Sequence, residues 1–386
     1  MLPISLKQLS LSLGLLLWLQ SAVTAQVGGN SSTALLAKLA YSAPQDVAFS
    51  SDGKLLAAGS SWGSKSGIRV WEFETQRVVA TISERQGDGI ERIAFSDNGK
   101  LFAAADARGD VMLWNVGSWN SHRTLISNRI PANSTAFNPD NAVSLAFSRD
   151  NTKLLLASDQ EVVFFDIETG SSKTIATRPS ERDSILSASF STNDKSLIFC
   201  TYKSVQVWDI ASGKQVRTWE GPGFGFFGEV SSNGEYLVAG GGSIYGEKIV
   251  DVWNTSDGSK VHELSGFRSG LFALAISRSG DFIALGGGNY GGVGDVSLWE
   301  FGKAKELGYF STGESPIERL AFSPDDRTLA VASNDGYVLL YAVDKIRGPQ
   351  LEKQDFGLCG EITTEGDKTY ISPLSKVPNP MRVGCN

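Results

Sequence analysis

Histidine is nearly absent: His122 and His262 are the two in 386 residues, and they lie far apart. A Ser-His-Asp or Cys-His site has no base placed for it in such a chain, and a metal cluster lacks ligands. Cysteine is scarce too. Cys200 sits inside the apolar run "SLIFCTY" and reads as a small buried hydrophobe. Cys359 and Cys385 lie near the C-terminus at no metal-binding spacing; in an exported chain they are expected to form a disulfide. Excess positive charge is missing: 35 Lys and Arg stand against 42 Asp and Glu, for a net charge of -7 and no basic stripe. Nucleic acid is therefore not an expected partner. There is no Walker-type loop. "GGGSIYGEK" and "GGGNYGGVGD" are Gly-rich but run from strand to strand, whereas a phosphate cradle needs a helix start. "SDNGK" and "SSNGE" lack the alternating ligands of a calcium loop and read as hairpin turns, where the neighbouring carboxylates Asp325 and Asp326 are expected to be solvated. No cofactor is expected.

Long apolar runs are confined to the first 25 residues, "MLPISLKQLSLSLGLLLWLQSAVTA". One cation (Lys7), an apolar stretch shorter than the roughly 20 residues a membrane span needs, and small residues up to Ala25 make a secretory leader with a cut after Ala25. No cysteine follows the run to carry a lipid anchor. The chain is thus expected to be exported, secreted or periplasmic, with no transmembrane segment once the leader is removed. Asn30, Asn133 and Asn254 lie in glycosylation sequons, which matter only on a eukaryotic route.

What the chain has in abundance is one statement, made seven times. "VAFSSDGKLLAAGSSWGSKSGIRVW" ends at Trp71, and related stretches end at Trp114, Phe165, Trp208, Trp253, Trp299 and Tyr341, between 42 and 51 residues apart. A period in this range marks a repeat architecture. Each copy opens with an alternating run such as "VAFS" and continues with a run apolar on both faces, such as "LLAAG" or "LAVAS". A third run ends on the large aromatic, and a polar fourth run ("QRVVATIS", "KQVRTWE") suits a sheet edge. Glycine (42 residues) marks the turns, and nine Trp argue for ordered packing. Each unit is therefore a four-stranded antiparallel sheet. Such units bury their faces only against one another, and the expected fold is an all-β, seven-bladed propeller. The alternatives are six or eight blades, should one copy be miscounted. The seventh copy lacks a fourth strand after Tyr341, and "ALLAKLAY" (Ala34 to Tyr41) is expected to supply it and close the ring.

The units resemble WD repeats. "VQVWDI" carries the Trp-Asp pair as that family writes it, and "IRVWEF", "VMLWNV", "IVDVWNT" and "VSLWEF" are near variants. The Gly-His pairs that precede the first strand of well-kept repeats are missing, so their Asp-His-Ser-Trp network cannot form. Asp159 and Asp335 match the turn Asp, and most copies lack it. The expected boundaries are a leader at 1–25, the propeller at 26–346 and a tail at 347–386.

Function is then sought on the surface. Three connections between second and third strands are enlarged, and each holds one aromatic: Trp62, Tyr245 and Tyr290. The connection into the fifth copy, "EGPGFGFFGE", adds Phe224, Phe226 and Phe227 to the same side. Insertions collecting on one face suggest a binding face; the alternative is that the rings fold back over the blade tops. Charges collect at the start of first strands: Asp46, Glu91 and Arg92, Glu318 and Arg319. These should ring a channel mouth, the rim that WD-repeat proteins use for partners, unless the rim pairs with itself. The resemblance implies a non-enzymatic scaffold for a protein or peptide partner, with Trp62, Tyr245, Tyr290, Phe224, Arg92 and Arg319 as contacts. Alternatives are a propeller binding carbohydrate or a small ligand and a degenerate propeller enzyme.

Overall fold

The computed structural model describes residues 34–60, 67–83, 89–107, 109–126, 142–180, 183–191, 193–221, 227–231, 234–241, 249–265, 267, 270–288, 294–313, 315–346, 360–365 and 368–373. They fall into two units. In the smaller, Gly360–Glu365 pairs antiparallel with Lys368–Pro373 as a hairpin, which the sequence did not suggest. Cys359 and Cys385 lie outside the described residues. No helix among the described residues is long and apolar enough to cross a membrane.

The larger unit is seven sheets of four antiparallel strands. Their innermost strands are Pro44–Phe49, Ile90–Phe95, Ala142–Phe147, Ile185–Phe190, Phe227–Val230, Gly270–Ile276 and Ile317–Phe322, for blades 1 to 7. Blades 1 to 6 take their strands in chain order. Blade 7 takes its outermost strand from Leu35–Ala40, which pairs with Tyr337–Ala342 from Leu35↔Tyr341 to Ala40↔Tyr337. The ring therefore closes through the N-terminal strand, as expected. Tyr41 locks the closure: its hydroxyl donates to the Gly67 carbonyl at 2.6 Å and its ring meets Trp71 edge-on at 5.8 Å.

The second strands are apolar on both faces because both are covered. Leu56, Ala57 and Ala58 are fully buried, as are Ala103, Ala104 and Ala105. The buried apolar residues form seven clusters, one at each junction between neighbouring blades. All seven repeat-ending aromatics lie in third strands. In place of the missing family network, Trp208 donates to Gln206 Oε1 (3.0 Å) and Trp299 to Ser297 Oγ (2.9 Å), each two residues back on its own strand. Trp114 is buried with its N–H unpaired, held by packing against Phe102.

The recurring Ser after each first strand has a local cause. Ser50 Oγ donates to Asp52 Oδ1 (2.7 Å) and accepts from the Leu55 N–H (2.9 Å), and Ser96, Ser148 and Ser323 repeat the pattern with Asn98, Asp150 and Asp325. Such side chains replace backbone partners in a tight turn. The next residue sits in the left-handed region in every blade: Gly53, Gly99, Asn151, Asp194, Gly234, Gly280 and Asp326, with φ between 53° and 80°. Where it is not glycine, its side chain crosses to the preceding blade. Asn151 accepts from the Asn98 N–H, Asp194 from that of Asp150, and Asp326 from those of Arg278 (2.7 Å) and Ser279 (2.9 Å). Asp326 is therefore not the solvated carboxylate expected from its turn; it joins blade 7 to blade 6.

Candidate functional site

The seven innermost strands enclose a central channel of about 440 Å³. It has two ends. At one the chain enters the innermost strands, here called the strand-start mouth. At the other it turns back into the second strands, the turn mouth. The enlarged loops belong to the strand-start side: Ser60, at the flank of loop 61–66, pairs with Pro44, and Gly288, at the flank of loop 289–293, pairs with Gly270. Trp62, Tyr245, Tyr290 and Phe224 themselves lie outside the described residues. Phe227 opens the innermost strand of blade 5.

Near the strand-start mouth, six innermost strands carry a register irregularity, between Pro44 and Asp46, Ile90 and Arg92, Ala142 and Ser144, Ile185 and Ser187, Leu271 and Ala273, and Ile317 and Arg319. A bulge inserts a residue and re-aims the side chains beside it. The polar residues after the bulge then reach sideways to the neighbouring blade. Arg319 Nε lies 3.2 Å from Asp46 Oδ1, joining blade 7 to blade 1. Asp46 Oδ2 accepts from the Ile93 N–H (2.8 Å), joining blade 1 to blade 2. Arg92 Nε donates to the Val143 carbonyl (3.0 Å), and Ser144 Oγ accepts from the Ala188 N–H (3.0 Å). Four successive junctions are joined in this way. Of the expected contact residues, Arg92 and Arg319 are thus brought to the channel together, and both also hold blades.

The carboxylates around them are more than the two arginines neutralise. Glu91, on the bulge of blade 2, has its carboxyl raised by burial and by Asp46, against the pull of Arg92. Glu318, on the bulge of blade 7, is raised by burial and by Glu91, again against Arg92. Burial and the nearby Arg319 lower Arg92 to about 10, while Asp46, Glu91 and Glu318 oppose the fall. Beneath them stands a residue the sequence reading missed. Three positions after the bulged residue the other six blades carry Ala48, Ala94, Ala146, Ser189, Ala275 and Ala321, whereas blade 5 carries Glu229 two positions before its recurring Ser231, as they do before theirs. Burial lifts its carboxyl to about 7, against Arg319 and the Ile276 N–H. The signal was available in the repeat alignment itself, as the one acid in a column of Ala and Ser.

The turn mouth differs. There Phe49, Phe95, Phe147, Phe190 and Phe322 border a vestibule of about 600 Å³. These rings also wedge between blades; Phe49 meets Phe73 at 5.0 Å and Phe190 stacks on Phe164 at 5.1 Å. Both histidines are ring partners on outer strands or beside them: His122 lies 5.1 Å from Trp114 and His262 6.1 Å from Phe301. Among the described residues no group of His, Cys, Asp and Glu is arranged to hold a metal ion.

The family model described as "WD domain, G-beta repeat" matches residues 40–72, 76–115 and 305–341. Its second and third segments begin on the outermost strand of one blade and end at the aromatic of the next. No curated protein sequence matches the chain. Among solved structures, the chain is similar to the β-propeller domain of Myceliophteria thermophila Cps50 (Swd1), with a TM-score of 0.67 and 14% identity over 80% of this chain and 99% of that one. At that identity the likeness speaks for the fold.

Proposed function

Because the chain is a WD-repeat β-propeller, we propose that it is a non-enzymatic scaffold that holds a protein or peptide partner at its strand-start mouth, outside the cytoplasm. The observation that supports this reading is the channel cluster. Asp46, Glu91, Arg92, Glu229, Glu318 and Arg319 come from four blades and act on one another at the channel, and Glu229 stands where the other six blades place only Ala or Ser. Four carboxylates against two arginines, three of them raised by burial, favour a cationic group from outside, which would restore the charge balance. The enlarged loops at the same end would add Trp62, Tyr245, Tyr290 and Phe224 as apolar contacts; aromatic and Arg side chains carry most of the binding energy at interfaces. The extracytoplasmic placement rests on the leader at 1–25. In that setting Cys359 and Cys385 would pair. Cys200 would not compete, since burial pushes its thiol up to about 12.

The test is affinity capture from the native envelope or secreted fraction. The Glu229→Gln and Glu91→Gln/Glu318→Gln variants should retain a cooperative melt and lose at least about tenfold of the captured partner. Undiminished capture by both would overturn the reading. Mass analysis of the mature chain and non-reducing peptide mapping check export and the disulfide: an intact Met1, or two alkylatable thiols in freshly exported protein, would remove them.

A further inference from the structure

Blade 5 sets one acid in a ring of small residues, and the elements packed against it supply no cation. The flanking innermost strands, Ile185–Phe190 of blade 4 and Gly270–Ile276 of blade 6, carry no charged residue. Neither does the second strand of its own blade, Tyr236–Gly241. The other titratable groups of the packed strands are Tyr236 and Cys200, and burial pushes the Cys200 thiol up to about 12.

The charges that face Glu229 stand across the channel. Arg319 acts on it from blade 7, but that guanidinium already lies 3.2 Å from Asp46. Arg92 donates to the Val143 carbonyl and acts on Glu91 and Glu318. Among the described residues Glu229 has no ion-pair partner, and its donor is the Ile276 N–H. Arg268, which precedes the innermost strand of blade 6, lies outside the described residues. Glu229 lines the same channel as Asp46, Arg92 and Arg319, two residues deeper than their level. That is about 7 Å of strand, within reach of an extended Lys or Arg side chain entering past the mouth.

A carboxyl so placed has two stable states. Buried without a partner it keeps its proton; beside a cation it gives the proton up. The states exclude each other, because the carboxyl must release its proton to water before it can pair. Titration at about 7 belongs to the empty channel, and an added cation lowers it.

Resting on the reading that the strand-start mouth takes a cationic group, we infer that the channel binds the partner's cationic side chain in exchange for the proton of Glu229, so that docking is tight in neutral medium and loosened in acid. The direction follows from linkage. Where the free carboxyl is ionised, the site is ready for the cation. Where it is protonated, an entering cation must first expel the proton, so affinity falls as pH falls.

The probe is the peptide Gly-Leu-Arg-Leu-Gly carrying rhodamine, with the same peptide bearing citrulline in place of arginine as its neutral counterpart. Anisotropy is followed as the full chain is added, at about pH 8 and at about pH 5.5. The arginine peptide should bind saturably at the higher pH, at least about tenfold more tightly than the citrulline peptide, and weaken at least about fivefold at the lower. Glu229→Gln should cost about tenfold at the higher pH and less than about twofold at the lower, where the parent carboxyl is itself neutral. Glu91→Gln/Glu318→Gln should weaken binding at both and keep the pH step, and Arg268→Gln should keep it as well. Carboxyl NMR of a chain labelled at glutamate reads the exchange directly. The signal missing from Glu229→Gln should titrate at about 7 in the free chain and at least about one pH unit lower with the arginine peptide bound. Equal affinity at the two pH values, a step that survives Glu229→Gln, or a Glu229 signal that the peptide leaves unmoved would overturn the inference and leave the channel reading standing. No preference for arginine over citrulline at either pH would remove the channel reading and the inference together.

Discussion

The two ends of the channel are built by opposite rules. At the turn mouth every repeat says nearly the same thing: a Phe or other apolar residue, a Ser, a turn acid or amide (Ser279 in blade 6), and a left-handed residue. At the strand-start mouth the blades differ. Asp46, Arg92, Ser144, Ser187, Ala273 and Arg319 occupy one level, and Glu229 stands alone among small residues on the next. Repetition is what a self-stacking sheet needs, since each blade meets the same neighbour. Departure from repetition is not demanded by blade stacking, although Asp46, Arg92, Ser144 and Arg319 also join blades. The contrast therefore separates residues that make blades from residues that make this protein different from other propellers.

The largest expected effect comes from unmaking the ring that holds the two ends apart. Removing residues 26–43 takes away the outermost strand of blade 7, leaves the Tyr337–Ala342 edge unpaired and strips Leu39 and Tyr41 from the junction core. An exposed apolar edge invites aggregation. Size-exclusion chromatography and thermal melting should show loss of the folded monomer; a truncated chain that melts like the full one would sink the closure argument.

Next in size is Asp46→Ala at the strand-start mouth. Asp46 is 3% exposed and serves blades 7 and 2 at once, through Arg319 and the Ile93 N–H. Its loss leaves a partly buried guanidinium and a backbone donor without partners, a cost of about 3–4 kcal/mol by denaturant titration. A cost below about 1 kcal/mol would mean that the mouth is joined by backbone packing alone.

Glu229 sharpens the comparison through pH. Its folded carboxyl titrates at about 7, above the ordinary 4.5, so its ionisation opposes folding. The penalty is absent below pH 4.5, grows as pH rises to about 7 and is full above that. Glu229→Gln should therefore be more stable than the parent above pH 7, by at most about 3 kcal/mol, and lose that advantage towards pH 4.5. Parallel stability curves for the two proteins across this range would contradict the titration. A gain in stability with a loss of partner capture is the pattern of a residue kept for function.

The sequence made the fold legible because the fold is the repeated part. Seven aromatics at a period of 42 to 51 residues, second strands apolar on both faces and a missing fourth strand at one end all follow from blade stacking, and the N-terminal closure could be read before any coordinates. The channel was legible only in part. Arg92 and Arg319 stood out as charges at strand starts, but their cross-blade partners depend on bulges, which no local pattern announces. Glu229 was hidden for another reason. It matters by contrast with residues at the same place in other blades, so the comparison has to run down the register, not along the chain.

The smallest effect, and the cleanest test of the division, lies at the turn mouth. Asp326 has φ 58° and accepts two N–H bonds from the preceding blade, at a half-buried site. Asp326→Gly keeps the left-handed turn without a Cβ penalty but removes both acceptors, a cost of about 1 kcal/mol. Asp326→Ala removes the acceptors and places a Cβ in the left-handed region, so about 2 kcal/mol is expected. Asp326→Asn keeps one acceptor oxygen and tolerates the conformation, and should fall nearest the parent. The order Asn, Gly, Ala in urea midpoints follows from two separable causes, backbone strain and lost cross-blade bonds. All three should capture partner at the strand-start mouth as the parent does, because nothing at this turn faces that mouth. If the three variants instead lost capture while their midpoints stayed within about 0.5 kcal/mol of the parent, the repeated end would be a binding surface too, and repetition would no longer mark the residues that serve the fold alone.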